Sequence, residues 1–138
     1  MIFLDTNVIS KAMKPEPHTQ VLQWLNAQMA ETLYLSSVTI AELAFGIAVL
    51  PAGKRKELLF HALEGIVDLF ANRVLSFDVK AAHEYGQLFM KARQQGLCFP
   101  IQDGCIAAIA QANHFMVASR HPTAFKAANL TVINPWQS

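Results

Sequence analysis

The chain is short of cysteine, of charge and of long apolar runs, and each shortage removes a class of protein. Cys98 and Cys105 are its only two cysteines. They are too few and too irregularly spaced for a disulfide scaffold or for a zinc site built on Cys-x-x-Cys pairs, so reduced, buried thiols are expected. Charged residues make up 15% of the 138 residues and hydrophobic ones 53%, which excludes disorder and predicts one compact domain over 1–138 with a sizeable core. Eleven Lys and Arg against ten Asp and Glu leave a net charge of +1. A field that weak neither demands nor excludes nucleic acid, so phosphate binding would have to rest on local arrangement. No apolar run reaches bilayer length, and the N-terminus lacks a basic region, an apolar core and a cleavage site. A cytoplasmic protein without membrane contact is the expectation.

What is present alternates between strand-like and helix-like segments. Met1 to Asp5 reads as a buried strand, Asn7 to Met13 as a short helix closed by Lys14-Pro15, and Pro17 as the opening of a second helix. In that helix Val21, Leu22, Leu25 and Met29, flanked by Trp24, form a stripe that should face the core or a neighbour. Leu33-Tyr34-Leu35 is a short strand, and Ser36 or Ser37 caps a helix that stops before Pro51 and, being apolar almost all round, is expected to be buried. Lys54 to Leu69 predicts a long helix with Leu58, Leu59, Ala62, Leu63, Ile66 and Leu69 on one broad face. Val74 to Phe77 is a strand candidate, and Asp78 caps a helix that ends at Gly96. A helix then runs from near Asp103 to Asn113, followed by strands at Phe115–Ala118 and Leu130–Ile133. Such alternation predicts a three-layer α/β/α domain with a mostly parallel sheet of four to five strands.

Three acids stand alone in apolar surroundings. Asp5 ends the first strand, Glu42 is the only charge between Leu33 and Gly53, and Asp103 is the only one between Arg93 and Arg120. Asp5 has an ordinary role as a helix cap, and Asp103 as a favourable charge at a helix N-terminus. Glu42, among Ile40, Leu43, Ala44 and Phe45, has none, because an unpaired acid there loses solvation. In an α/β sheet the functional crevice lies beyond the carboxyl ends of the strands. If the helices of Glu42 and Asp103 start at that edge, with both acids in their first turns, the three converge. Carboxylates gathered in one crevice repel each other unless a cation neutralises them, and all-oxygen ligation favours Mg²⁺ or Mn²⁺ over zinc.

Leu4-Asp5-Thr6-Asn7, the stretch Leu35 to Leu43 with Gly46, Asp103 to Ala108, and the closing Val132-Ile133-Asn134-Pro135-Trp136 together resemble the PIN-domain ribonuclease toxins of the VapC and FitB type, over nearly the whole chain. The resemblance implies a Mg²⁺- or Mn²⁺-dependent endoribonuclease, held inactive by a cognate antitoxin and commonly a homodimer. It assigns Asp5, Glu42 and Asp103 as catalytic and metal-site residues, with Thr6 and Asn7 orienting water or substrate. Arg120 lies near the crevice as a further substrate-orienting candidate. Where the family pattern offers a fourth acid this chain aligns His121, which adds an alternative: a degenerate domain that binds RNA or a partner without cutting. A phosphatase with a strand-end nucleophile would pair Asp5 with a second acid two residues on, where Asn7 stands. The helix around Val21 to Met29 and the face around Phe60, Leu63 and Phe70 exceed what so small a core consumes, and are expected to serve a dimer contact and an antitoxin groove.

Overall fold

The computed structural model describes Met1–Gln137. The chain runs β1 (Ile2–Leu4), α1 (Thr6–Met13), α2 (Thr19–Ala27), a 3₁₀ turn (Ala30–Thr32), β2 (Leu33–Ser36), α3 (Ser37–Ala48), α4 (Lys54–Leu69), β3 (Val74–Leu75), α5 (Val79–Gln94), α6 (Ile101–Asn113), β4 (Met116–Ala118), α7 (Thr123–Ala127) and β5 (Val132–Ile133). The five strands lie in the order β3-β2-β1-β4-β5, every neighbouring pair parallel. This is the α/β architecture expected from the alternation of strand and helix.

The central strand shows how three residues organise two layers. Side chains alternate across a sheet, so Phe3 enters one core with Leu88 of α5, Ile106 and Ile109 of α6 and Phe125 of α7. Ile2 and Leu4 point the other way, against Val8 and Ile9 of α1, Val21 of α2 and Phe70 just beyond α4. All three β1 side chains are buried, each contributing about 1.5–3 kcal/mol of transfer free energy. A polar substitution in β1 would therefore damage both layers.

The caps fall where the sequence places them. Ser36 accepts from the Val38 amide, Asp78 accepts from Ala81, and Gly96 takes φ +68° just past α5, a conformation that suits a residue without Cβ. Several boundaries and faces differ. α2 starts at Thr19, not Pro17, and ends at Ala27, so Met29 lies outside the helix at 64% exposure. Of its stripe only Val21 is fully buried, because a nine-residue helix has too few turns to carry four anchors. The third strand contains only Val74 and Leu75, and the fifth only Val132 and Ile133, because pairing partners stop there. The helix α7 was not anticipated. Five residues after Pro122 are too few to display a period.

The larger corrections concern exposure. α3 is not buried all round: Phe45 is 71% exposed, and Ala44 and Val49 are open too. On α4 only Leu63 is buried, while Leu58 and Leu69 face outward and Phe60 is 52% exposed. Leu63 and Phe70 belong to the core, so the face expected around Phe60, Leu63 and Phe70 is divided between interior and surface. Cys98 is exposed and Cys105 half-buried, which corrects the expectation of two buried thiols. Among the described residues no helix is long and apolar enough to cross a membrane.

Candidate functional site

Because all five strands are parallel, their carboxyl ends share one edge. The chain leaves β1 to build β2 and β3 on one side and returns to place β4 on the other, so the topological switch lies between β1 and β4. The register pairs Leu4 with Ala118, and the next residues, Asp5 and Ser119, emerge side by side into that opening. The Asp5 amide donates to the Ala118 carbonyl at 3.0 Å, carrying the ladder to the rim of the site.

Asp5 is 2% exposed and its carboxylate is almost enclosed by donors. One oxygen accepts from the Thr6 amide at 2.8 Å, and the other from Asn7 Nδ2 at 2.9 Å and Ser119 Oγ at 2.7 Å. It is thus the N-cap of α1 and a member of the crevice at once. Burial pushes its pKa above the ordinary value, while the bonds from Ser119, Thr6 and Asn7 pull it back.

Glu42 projects from α3 with Thr39 one turn before it, and both meet Thr6. Thr6 Oγ1 lies 2.8 Å from Glu42 Oε1 and 3.0 Å from Thr39 Oγ1. A hydroxyl has one proton, so Thr6 donates it to the carboxylate and accepts from Thr39. Glu42 lies in the second turn of α3 rather than the first, because Ser36 is the cap and Ser37 the first helical residue. Burial is the largest cause raising its pKa, and the charge of Asp5 adds to it.

Asp103 does lie in the first turn, in α6. That turn is seated on aromatic rings: Gly104 is buried, and a Cβ there would overlap the Phe89 ring, itself stacked between Tyr85 at 4.2 Å and Phe99 at 5.0 Å. The Asp103 carboxyl is pushed up to about 6, first by burial and then by the charges of Asp5 and Glu42, with His121 acting the other way. Mutual repulsion links the three acids electrostatically.

The remaining sequence candidates divide. Thr6 and Asn7 are in the cluster, and Asn7 also accepts from the Arg120 amide at 3.2 Å, tying α1 to the loop after β4. Arg120 is joined by backbone only; its guanidinium lies over the Trp136 ring at 5.2 Å. His121 is exposed, its amide donates to Ser119 Oγ at 3.0 Å, and its ring stands near enough to Asp5 and Asp103 to favour their ionised forms. Ser119, Thr39 and the contact of Gly104 with Phe89 were missed. For Ser119 a signal existed, a polar residue directly after a buried strand, but only the register places it beside Asp5.

Among the described residues the sole contact at ion-pair distance is His61 Nδ1 with Glu64 at 3.3 Å, on the surface of α4. Neither Lys nor Arg neutralises the acids. An all-oxygen set with uncompensated charge matches a hard divalent cation in chemistry. No group of three or more His, Cys, Asp or Glu among the described residues is arranged to hold a metal ion as it stands. The fit is therefore one of charge and donor type.

Similarity to known proteins spans nearly the whole chain. The family model described as PIN domain matches residues 2–128. The chain is 52% identical over 139 residues to the plasmid stability protein StbB of Pseudomonas syringae pv. tomato, covering 100% of both. It is 51% identical to the VapC ribonuclease Y4jK of Sinorhizobium fredii, covering 99% of both. Among solved structures it is similar to FitAcB from Neisseria gonorrhoeae, with TM-score 0.94, 43% identity and 100% coverage of each chain.

Proposed function

The chain belongs to the PIN-domain family, in its VapC and FitB branch, and on that premise we propose that it is the toxin of a toxin–antitoxin pair, an endoribonuclease that uses Mg²⁺ or Mn²⁺. The observation that carries the proposal is the convergence of Asp5, Glu42 and Asp103 at one sheet edge, where Asp5 raises the pKa of Glu42 and both raise that of Asp103, with no Lys or Arg among the described residues paired to them. Residues 1–138 act as one such domain.

Asp5, Asp103 and Glu42 would hold the ion. When bound, the metal supplies the positive charge that the three carboxylates lack and polarises a phosphodiester for attack by water. The protein's own groups do the rest. Ser119, Asn7 and the Thr6 amide fix the Asp5 carboxylate, and Thr6 with Thr39 fixes Glu42, so neither must reorganise as charge develops. Glu42 or Asp103 accepts the proton of the attacking water. Asn7, from the first turn of α1, and Arg120, from the loop after β4, orient the substrate.

The test is cleavage of a broad RNA pool by purified, partner-free protein. Cleavage that requires Mg²⁺ or Mn²⁺ and disappears in Asp5→Asn supports the assignment; an intact pool with either ion overturns it. His121 motivates a second reading, a domain that binds without cutting. His121→Asp separates the two, since activity that rises from near zero supports degeneracy and unchanged activity rejects it.

The relatives' names extend to partners. A cognate antitoxin is the expected ligand of the exposed apolar surface on α3 and α4, where Ala44, Ile47, Ala48, Phe60 and Leu63 border a groove of about 450 Å³. A homodimer contact can use the same region. α2 is the weaker candidate, because Val21 is in the core and Trp24 packs against it.

A further inference from the structure

A second groove adjoins the acid cluster on the side away from Glu42. It has a volume of about 550 Å³, lies beyond the ends of β4 and β5, and is lined by Ser119, Arg120, Pro122, Lys126, Asn134 and Gln137. That volume falls within the roughly 300–1,000 Å³ of small-ligand sites. Ser119 is shared with the acid centre, since its hydroxyl holds Asp5. The groove therefore borders the centre, with Ser119 in the wall between them.

Its chemistry is opposite to that of the centre. Arg120 and Lys126 are its only charged residues, both are exposed, and among the described residues neither forms an ion pair. Two cations with no acid between them attract anions, and the nearest large anion this protein would meet is its own substrate. Arg120 is also pre-set. Its guanidinium rests over Trp136 at 5.2 Å, a cation–π contact that limits its rotamers while leaving the in-plane N–H groups available. Helix α7 carries Lys126, and the Lys126 amide bonds to the Pro122 carbonyl at 2.9 Å, closing the turn that follows the Ser119–His121 loop. The same short segment thus positions the Asp5 support and the second cation.

We propose that this groove is the channel for the RNA backbone on one side of the scissile bond, with Arg120 and Lys126 each taking one phosphate. The inference rests on the nuclease reading and deepens it. It gives a near-neutral protein a local basic track where the global charge offers none, and it runs the chain from cations to acids in a single direction.

The experiment measures binding of a fluorescein-labelled single-stranded RNA by anisotropy over a range of NaCl with Mg²⁺, in an Asp5→Asn background that leaves the RNA uncut. Arg120→Ala/Lys126→Ala should weaken binding about tenfold or more and reduce the slope of log K against log salt by about 1.4, or about 0.7 for each phosphate on a single strand. Lys54→Ala/Arg55→Ala, at the exposed start of α4, should leave the slope unchanged. Both altered groove side chains are exposed, and matching thermal melts check that the fold is intact. Unchanged affinity and slope in the groove variant overturn the proposal. If protein with Asp5 intact still cleaves RNA in that case, the nuclease reading stands and the groove alone is rejected; if it leaves the RNA intact with either ion, both fall. Poly-glutamate bound by the groove and lost in the variant, with RNA binding unaffected, would give the groove to an acidic protein segment and overturn the RNA channel.

Discussion

The carboxyl edge of the sheet and the outer face of α3 and α4 depart from the usual distribution of residues in opposite senses. At the first, Asp5 carries charge into a 2%-exposed position, and Glu42 and Asp103 follow it part of the way. On the second, Phe45, Val49, Leu58 and Phe60 leave hydrocarbon in water. Charge inside costs desolvation, and the pKa values of all three acids rise accordingly. Hydrocarbon outside forgoes burial worth about 25 cal/mol per Å². On the proposed reading each region is completed by something the chain does not supply, a cation in one case and a protein surface in the other. The interior around β1, by contrast, is closed on both faces and needs nothing.

Substitutions that strike one region and spare the other sharpen this contrast. The largest effect is expected for Asp5→Asn: RNA cleavage falls by more than about 100-fold, while the melting temperature in metal-free buffer holds or rises because a repelling buried charge has gone. A clear drop in stability would contradict the view that the cluster is strained without a cation. Phe45→Asp/Phe60→Asp should do the reverse. Self-association or partner affinity, followed by sedimentation, weakens by about 2 kcal/mol or more, with the acid site untouched.

Ser119→Ala comes next, with cleavage reduced about 10- to 100-fold as Asp5 loses its shortest hydrogen bond. Ser119 is a positioning residue, so the loss should fall on kcat and on the Mn²⁺ dependence. Gly104→Ala should destabilise the fold by about 1–3 kcal/mol through overlap with Phe89, read in a denaturant melt. Combining it with Phe89→Leu should recover part of that loss. No recovery would mean that the ring does not seat the first turn of α6.

The smallest effect is in pH. Asp103 has an ordinary pKa of 3.8 and one of about 6 in the fold, so the folded chain holds this proton more tightly than the unfolded one. Its contribution to stability is then greatest below 3.8 and is lost as the pH rises through about 6. Asp103→Asn has no such proton to lose, so its melting temperature relative to the parent should climb across that window in metal-free buffer. Saturating Mn²⁺ should remove the difference, since the ion offsets the repulsion between the acids. A difference that stays flat with pH rejects the raised pKa of Asp103, whose first cause is burial and whose second is the charge of its neighbours.

Much of this was legible in the residues. Isolated Asp5, Glu42 and Asp103 stood out because an acid in an apolar run loses hydration that a partner or an ion restores, and the fold brings the three within electrostatic reach of one another. Ser36, Asp78 and Gly96 mark helix ends through local hydrogen bonding that needs no tertiary context. The exposed faces of α3 and α4 were not legible, because an apolar side chain has the same composition whether a neighbour covers it or not. Nor was the short α7, which the surrounding packing stabilises rather than any period of its own.

By itself, then, the sequence determined the alternation of strands and helices, the caps, and the three acids that had to be accounted for together, since each follows from local chemistry or spacing along the chain. Tertiary structure alone decided that Leu4 pairs with Ala118, and hence that Ser119 stands beside Asp5 while Thr6 bridges to Glu42. Those hydrogen bonds join residues 114 and 36 positions apart. Distance along a chain carries no register; only the paired backbones of β1 and β4 and the packing of α1 against α3 supply it.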